Sequence, residues 1–370
     1  AAKAAAAANA GSDTVVAAVA SAVPALRLDP SRALIVTEIG GALAAGEVKV
    51  KLLTLYPDCW KVTLGRAGSV EQVPLSELDH HGRAFDHTSW LVVPPAPLMD
   101  RDRFDFQDLV DIMDRLRDPD TGCPWDREQD HVTLREYILE EACEVIEAID
   151  RNDPDKMADE LGDVILQAVF HAKVDQERGG FDILDITTAI CRKMIRRHPH
   201  IFGAAKADTS AQVLKNWEAI KREEKRLTTQ TDVMRDIPKQ LPALMRAAKI
   251  QKKARDVGFD WDTPLEALDK VMEETSELRA ELERVGSKPK PALLPRVEEE
   301  AGDLLFAVVN AARLAGVQPE LALNTAIEKF VCRFDRVERA VAADGKEMRG
   351  MPLSELDRYW DKAKLEEAAR

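Results

Sequence analysis

Leu139-Glu140-Glu141-Ala142-Cys143-Glu144 is followed by Asp159-Glu160-Leu161-Gly162-Asp163, and the same order returns in Met272-Glu273-Glu274-Thr275-Ser276-Glu277 and Glu299-Glu300-Ala301-Gly302-Asp303. Each copy reads E-E-x-x-E and then E-x-x-D inside a helical pattern. At about 100° per residue an i, i+3 pair points one way, so each copy gathers carboxylates on neighbouring helical turns, where like charges repel. A hard cation removes that conflict, and the lack of histidine in either set favours an oxygen-loving ion over zinc or iron. Mg²⁺ is the expected ion, with Mn²⁺ as its alternate, and Mg²⁺ in such sites usually also grips phosphate oxygens. The expected metal ligands are Glu141, Glu144, Glu160 and Asp163 in the first copy and Glu274, Glu277, Glu300 and Asp303 in the second.

Around the first copy, Ile138, Ala142, Val145 and Ile149 recur at spacings of three and four, which predicts one buried helical stripe with Glu141 and Glu144 beside it. Further helices are expected at about 153–177, 181–197, 210–226, 241–256, 264–285, 292–315, 319–343 and 353–368 from the same periodicity. The two helical sets are repeats. Glu141 and Glu144 map to Glu274 and Glu277 with a shift of 133, and Glu160 and Asp163 to Glu300 and Asp303 with a shift of 140. Lys193 and Arg197 map to Lys329 and Arg333 with a shift of 136, and Trp217 and Lys221 to Trp360 and Lys364 with a shift of 143. The small drifts are loop insertions between equivalent helices.

Residues 14–97 differ in texture. Ala33–Thr37, Val48–Leu55 and Trp90–Val93 are short runs rich in β-branched residues and read as strands, so this part is a small α/β or α+β unit closed by Pro94-Pro95-Ala96-Pro97. The expected architecture is therefore mainly all-α. It comprises an Ala-rich flexible tail at 1–13, the N-terminal unit at 14–97, a first helical bundle repeat at 104–227, a linker at 228–240 and a second repeat at 241–370.

The formal net charge of -14 argues against sequence-independent nucleic-acid binding, which needs a basic face. Five widely spaced cysteines without a C-x-x-C pair suggest neither a disulfide framework nor a zinc knuckle, and a reducing cytoplasm fits them. Cys143 reads as a small buried residue, not a nucleophile. No apolar run reaches the ~20 residues needed to cross a bilayer, and the Ala-rich opening lacks the aliphatic stretch of a signal peptide.

Lys193, Arg196 and Arg197, and in the second copy Lys329 and Arg333, could neutralise triphosphate oxygens, while Trp217 and Trp360 offer flat faces to a base. Such a constellation fits metal-dependent phosphate chemistry. Rival readings are a pyrophosphohydrolase narrowed to dUTP, dCTP or phosphoribosyl-ATP, a nucleotide sensor that binds Mg²⁺ without turnover, and a helical scaffold with solvated acidic faces.

From Phe104 onward the chain resembles the MazG family of nucleoside triphosphate pyrophosphohydrolases in its two-repeat form. The resemblance rests on Gly122-Cys123-Pro124-Trp125-Asp126, Leu139 to Ala148, Asp159 to Asp163, Arg196-Arg197-His198-Pro199-His200-Ile201-Phe202, Val257-Gly258-Phe259-Asp260-Trp261 and Gly302 to Phe306. It implies an all-α homodimer whose carboxylates bind Mg²⁺ and which cleaves NTPs or dNTPs between the α and β phosphates to a monophosphate and pyrophosphate. By the same resemblance Lys270, Arg296, Lys329, Arg333 and Trp360 would contact nucleotide in the second repeat, and Lys156, Lys193, Arg197 and Trp217 in the first. Tyr137 stands where the second repeat has Lys270, which favours the second repeat as the working site. An outer glutamate, Glu273 or Glu140, would accept the proton of the attacking water. Val48 to Tyr56, Val73 to Asp79 and Leu91 to Pro95 more weakly resemble the tail of a tetrapyrrole methylase domain, implying a non-catalytic remnant.

Overall fold

The computed structural model describes residues 15–66, 68–80, 84–286 and 294–368; the Ala-rich segment expected to be a flexible tail lies outside them. The chain divides into two compact units, Ala1–Met194 and Ile195–Arg370.

The first unit begins with a five-stranded sheet built from β1 (Val15–Val19), β2 (Ala33–Thr37), β3 (Lys61–Arg66), β4 (Ser69–Pro74) and β5 (Trp90–Val93), in the order β1-β2-β5-β3-β4. Only the β1–β2 pair is parallel; β5 runs antiparallel to both β2 and β3, with Leu34 opposite Val93 and Gly65 opposite Trp90. A Cβ on Gly65 would come within 2.1 Å of the Trp90 ring, so that rung accepts no other residue. The expected strands at Ala33–Thr37 and Trp90–Val93 are present.

Val48–Leu55, expected as a strand, is instead largely helical, in α1 (Ala42–Leu52). The helical spacing explains it. Ala45, Val48 and Leu52, three and four residues apart, are fully buried, whereas Val50 is 66% exposed, so one helical face carries the burial and strand alternation does not. These side chains join Val36, Val62, Leu64, Leu91 and Val93 in the sheet's core. Fully burying one such side chain contributes about 1.5–3 kcal/mol.

Arg101, held by the Ala96 carbonyl at 2.7 Å and by Asp108 at 2.5 Å, ties the end of the sheet to the first helix beyond it. That helix, α2 (Phe106–Leu116), starts in a capping box between Asp105 and Asp108. After it come α3 (Pro124–Glu128), α4 (Tyr137–Asp150), α5 (Pro154–Gln176) and α6 (Ile183–Arg197), the last running across the division between the units. Met113, Leu134, Val169, Phe170 and Val174 form the helical core of this unit.

The second unit continues with α7 (Pro199–Phe202), α8 (Ser210–Glu224), α9 (Gln230–Arg235), α10 (Ala243–Arg255), α11 (Pro264–Val285), α12 (Leu294–Leu314), α13 (Pro319–Ala343) and α14 (Leu353–Ala368). Within the segment read as a linker, Thr229 and Asp232 form a capping box that starts α9. Gln251 donates to the Phe306 carbonyl at 2.8 Å, and the nearly buried Arg313 pairs with Asp260 at 2.6 Å, which fixes α12 against α10 and the loop before α11. Val337, Val341 and Ala363 join α13 to α14. Among the described residues no strand follows Phe104 and no helix is long and apolar enough to cross a membrane.

The stripe expected to be buried on α4 is open in the single chain: Ile138 is 43% and Ile149 55% exposed, and of this helix only Ala148 is buried. The periodicity is present, yet among the described residues of this unit that face is left largely uncovered. Cys143, expected to be buried, is likewise exposed.

Candidate active site

Two carboxylate clusters arise from helix pairs joined end to end, α4 with α5 and α11 with α12. Asp153 caps α5 by accepting the Lys156 N–H, and Thr263 with Glu266 boxes the start of α11, so the acidic turns lie within well-started helices. In the first pair, oxygens of Glu141, Glu144 and Glu160 lie within 4.8 Å of one another; in the second, those of Glu274, Glu300 and Asp303 do. Glu141 and Glu160 correspond to Glu274 and Glu300 under the two shifts, while the third member differs: Glu144 in one cluster, Asp303 in the other.

Asp163 and Glu277 stand outside these convergent trios but act on them. Burial and then the charges of Asp163, Glu144 and Glu140 push the Glu141 carboxyl up. Burial and then Glu277, Glu274, Glu299 and Asp303 do the same to Glu300. Glu160 is raised by burial, by its hydrogen bond with Glu144 and by the Glu144 charge, against a smaller opposing pull from Lys156. Three carboxylates converging with too few cations are a donor set of the kind a divalent ion binds through oxygen. These residues fit Mg²⁺ or Mn²⁺.

Nearby cations differ between the clusters. Lys270 lies 2.6 Å from Glu274 and 3.0 Å from Glu273, and those bonds, Glu274 foremost, hold its ammonium well above its usual range. In the first repeat the corresponding Tyr137 packs edge-on against Trp125, 6.2 Å between ring centres, and borders the Met113–Phe170 core. Lys156 stands in more loosely there, 3.4 Å from Glu147 and 3.7 Å from Glu160. Arg296, expected at nucleotide, lies 3.9 Å from Glu281 and is mostly exposed.

A second duplicated feature lies in the unit beginning at Ile195. Arg197 stacks over Trp217 with its guanidinium carbon 5.1 Å from the ring centre, and Arg333 over Trp360 at 5.0 Å. Each arginine also grips a carboxylate of the tryptophan's own helix: Arg197 donates to Glu224 at 2.5 Å and Arg333 to Glu367 at 2.9 Å. Sequence reading missed these glutamates, although Glu224 and Glu367 are related by the same shift of 143 as the tryptophans. Lys193 and Lys329 are exposed on α6 and α13, and Lys329 adds to the pull that lowers the Glu367 carboxyl, led by its bond to Arg333. His198 packs edge-on against Trp217 at 5.1 Å.

Duplicated helix hairpins, each with its own acidic trio, and a duplicated Arg–Trp–Glu stack define a mainly α protein with a small N-terminal sheet, whose carboxylate sets are of a kind that fits divalent ions. The MazG nucleotide pyrophosphohydrolase domain is matched twice, over residues 129–202 and 262–341. The Escherichia coli (strain K12) protein named nucleoside triphosphate pyrophosphohydrolase is 49% identical over 259 residues, covering 70% of this chain and 97% of that protein. The Thermotoga maritima protein named nucleoside triphosphate pyrophosphohydrolase/pyrophosphatase MazG is 45% identical over 260 residues, 70% of this chain and 95% of its own length. The chain belongs to the MazG family. The Bacillus subtilis (strain 168) protein YabN is 37% identical over 336 residues, 90% of this chain and 67% of its own, a span that reaches into the N-terminal sheet.

Proposed function

We propose that this chain is a Mg²⁺-dependent nucleoside triphosphate pyrophosphohydrolase that cleaves NTPs and dNTPs between the α and β phosphates, releasing a nucleoside monophosphate and pyrophosphate. The observation that carries this reading is the convergence of Glu274, Glu300 and Asp303 oxygens within 4.8 Å, duplicated in Glu141, Glu144 and Glu160. The names of the Escherichia coli and Thermotoga maritima relatives support the same activity.

When bound, Mg²⁺ supplies charge that neutralises the triphosphate and lowers the pKa of water. The remaining work belongs to side chains. Glu274, Glu277, Glu300 and Asp303 hold the ion in the second repeat, as Glu141, Glu144, Glu160 and Asp163 do in the first. Lys270, Arg296, Lys329 and Arg333 take the phosphate charges, and Trp360 offers its face to the base; Lys156, Lys193, Arg197 and Trp217 are their first-repeat counterparts. Glu273, an outer carboxylate bonded to Lys270, accepts the proton of the attacking water. The second repeat carries most of the turnover, because Tyr137 is committed to the core where Lys270 faces the cluster.

The protein acts as a homodimer on small nucleotides in the cytoplasm, clearing the nucleotide pool, and binds neither nucleic acid nor membrane. The N-terminal sheet is a non-catalytic remnant of a tetrapyrrole-methylase-like domain; S-adenosylmethionine binding in a calorimeter would contradict that.

Ion-exchange analysis of products formed from each NTP and dNTP with Mg²⁺ tests the activity, comparing wild type with Glu141→Ala and Glu274→Ala. Monophosphate plus pyrophosphate, lost in Glu274→Ala and kept in Glu141→Ala, is the expected result. Diphosphate plus orthophosphate would overturn it.

A further inference from the structure

A groove of 790 Å³ opens in the second unit between α8, residues 236–238 and α10. Lys215, Glu218 and Arg222 lie at i, i+3 and i+7 on α8, and Lys249, Lys252 and Lys253 at i, i+3 and i+4 on α10, so each helix turns one face into the groove. At about 100° per residue Trp217 points ~100–160° away from Lys215, Glu218 and Arg222 but only ~40–60° from Leu214 and Lys221, so the groove borders the α8 face that carries the Arg197 stack without including Trp217 in its lining.

The lining holds seven lysines and arginines against three acidic residues, in a chain whose net charge is -14. All three acids already have partners. Glu218 takes Lys253 at 2.8 Å, Asp256 takes the same lysine at 3.4 Å, and Asp236 takes Lys221 at 3.3 Å and Lys225 at 2.6 Å. Lys215, Arg222, Lys249 and Lys252 have no carboxylate within ion-pair distance among the described residues. Two helical faces of like charge thus meet with a single ion pair, Lys253 to Glu218, joining α10 to α8.

We propose that this groove is a second, metal-independent binding site for a phosphoanhydride chain, separate from the carboxylate clusters. Four unmatched cations around one concavity favour a ligand of concentrated negative charge, and the volume falls in the ~300–1,000 Å³ range of ligand pockets. One orthophosphate would underfill it. A long nucleic acid would have to cross the acidic remainder of the surface, whereas a compact condensed phosphate meets only the basic walls. Lysine and arginine supply the charged donors that phosphate oxygens accept.

Calorimetric titration of the full chain with inorganic tripolyphosphate in EDTA tests this, because the carboxylate clusters do not hold phosphate without a divalent ion. Wild type is expected to bind one tripolyphosphate, more weakly as salt rises. Lys249→Glu/Lys252→Glu should weaken binding at least tenfold, as should Lys215→Gln/Arg222→Gln on the facing helix, while Glu274→Gln leaves it unchanged. Circular dichroism melts of both groove variants establish that they fold. Equal affinity in the groove variants and wild type, loss in Glu274→Gln, or no binding by wild type overturns the proposal. A parallel titration with a nucleoside triphosphate analogue carrying carbon at the α–β bridge separates the sources: tighter binding than tripolyphosphate assigns a nucleotide, equal binding assigns the chain alone. Absence of Mg²⁺-dependent hydrolysis would overturn the catalytic reading and leave this metal-free binding standing.

Discussion

Lys270 Nζ bonds Glu274 at 2.6 Å, so in the second repeat a lysine of the same helix occupies the charge that a divalent ion would satisfy. A bound ion and the lysine would therefore compete for one carboxylate. Lys270→Met is expected to tighten Mg²⁺ binding by about two- to fivefold, the scale of a partly exposed helical ion pair, and to lower turnover by removing a phosphate contact. Mg²⁺ titration by calorimetry alongside pyrophosphate release reads both effects; weaker Mg²⁺ binding in the variant would show that Lys270 does not compete with the ion.

Arg333 is pinned between the Trp360 face and Glu367, so its guanidinium is oriented before any nucleotide arrives. Lysine can replace the charge but neither the stack nor the forked hydrogen bonding. Arg333→Lys is expected to raise KM for nucleotide about tenfold with a smaller change in kcat, reflecting lost positioning. The duplicate, Arg197→Lys, should leave KM alone and lower Tm by roughly 2–4 °C, because Arg197 is buried. Equal KM effects at both positions would mean that both repeats bind substrate.

Much of this was readable from the chain. The helical elements from residue 153 onward follow apolar periodicity, and the repeat shifts pointed to both converging carboxylate clusters, because side chains gathered on one helical face obey the same 3.6-residue geometry as the core. Val48–Leu55 misled because β-branched residues suit strands in general, whereas burial on α1 is decided by Ala45, Val48 and Leu52. The α4 stripe shows a different limit: periodicity marks a face that wants covering and does not say what covers it. Glu224 and Glu367 were missed because a carboxylate answering a buried or stacked arginine looks like any surface glutamate until the tertiary contact is seen.

That uncovered face leads to an expectation about assembly. Leu161 and Ile165 on α5 are 44% and 45% exposed, and Leu305 and Phe306 on α12 are 57% and 46% exposed, beside the carboxylate turns. Aliphatic faces of this kind are stabilised when a second copy removes them from water, by about 25 cal/mol per Å². Sedimentation velocity is expected to give a dimer at micromolar protein, and Leu161→Asp/Ile165→Asp a shift toward monomer. A monomeric wild type would contradict the homodimer.

His131 and His171 bring their Nδ1 atoms to 2.8 Å with the rings stacked, which one shared proton permits and two do not. Asp175 faces the pair from α5, 3.4 Å from the other nitrogen of His131, and is itself fixed by the Phe181 N–H; Arg178 adds positive charge nearby. Burial, and then the neighbouring His131, push the His171 imidazole below its usual value. A histidine whose folded pKa is depressed gives stability that is complete above the unfolded value of about 6.5 and lost as pH falls through the folded one. The metal-free protein should therefore show a Tm that declines as pH drops from 7.5 toward 5, and His171→Gln, which keeps a polar side chain without an ionisable ring, should flatten that decline. Melts followed by circular dichroism at both ends of this range decide it: an equally steep decline in His171→Gln would place the acid sensitivity elsewhere.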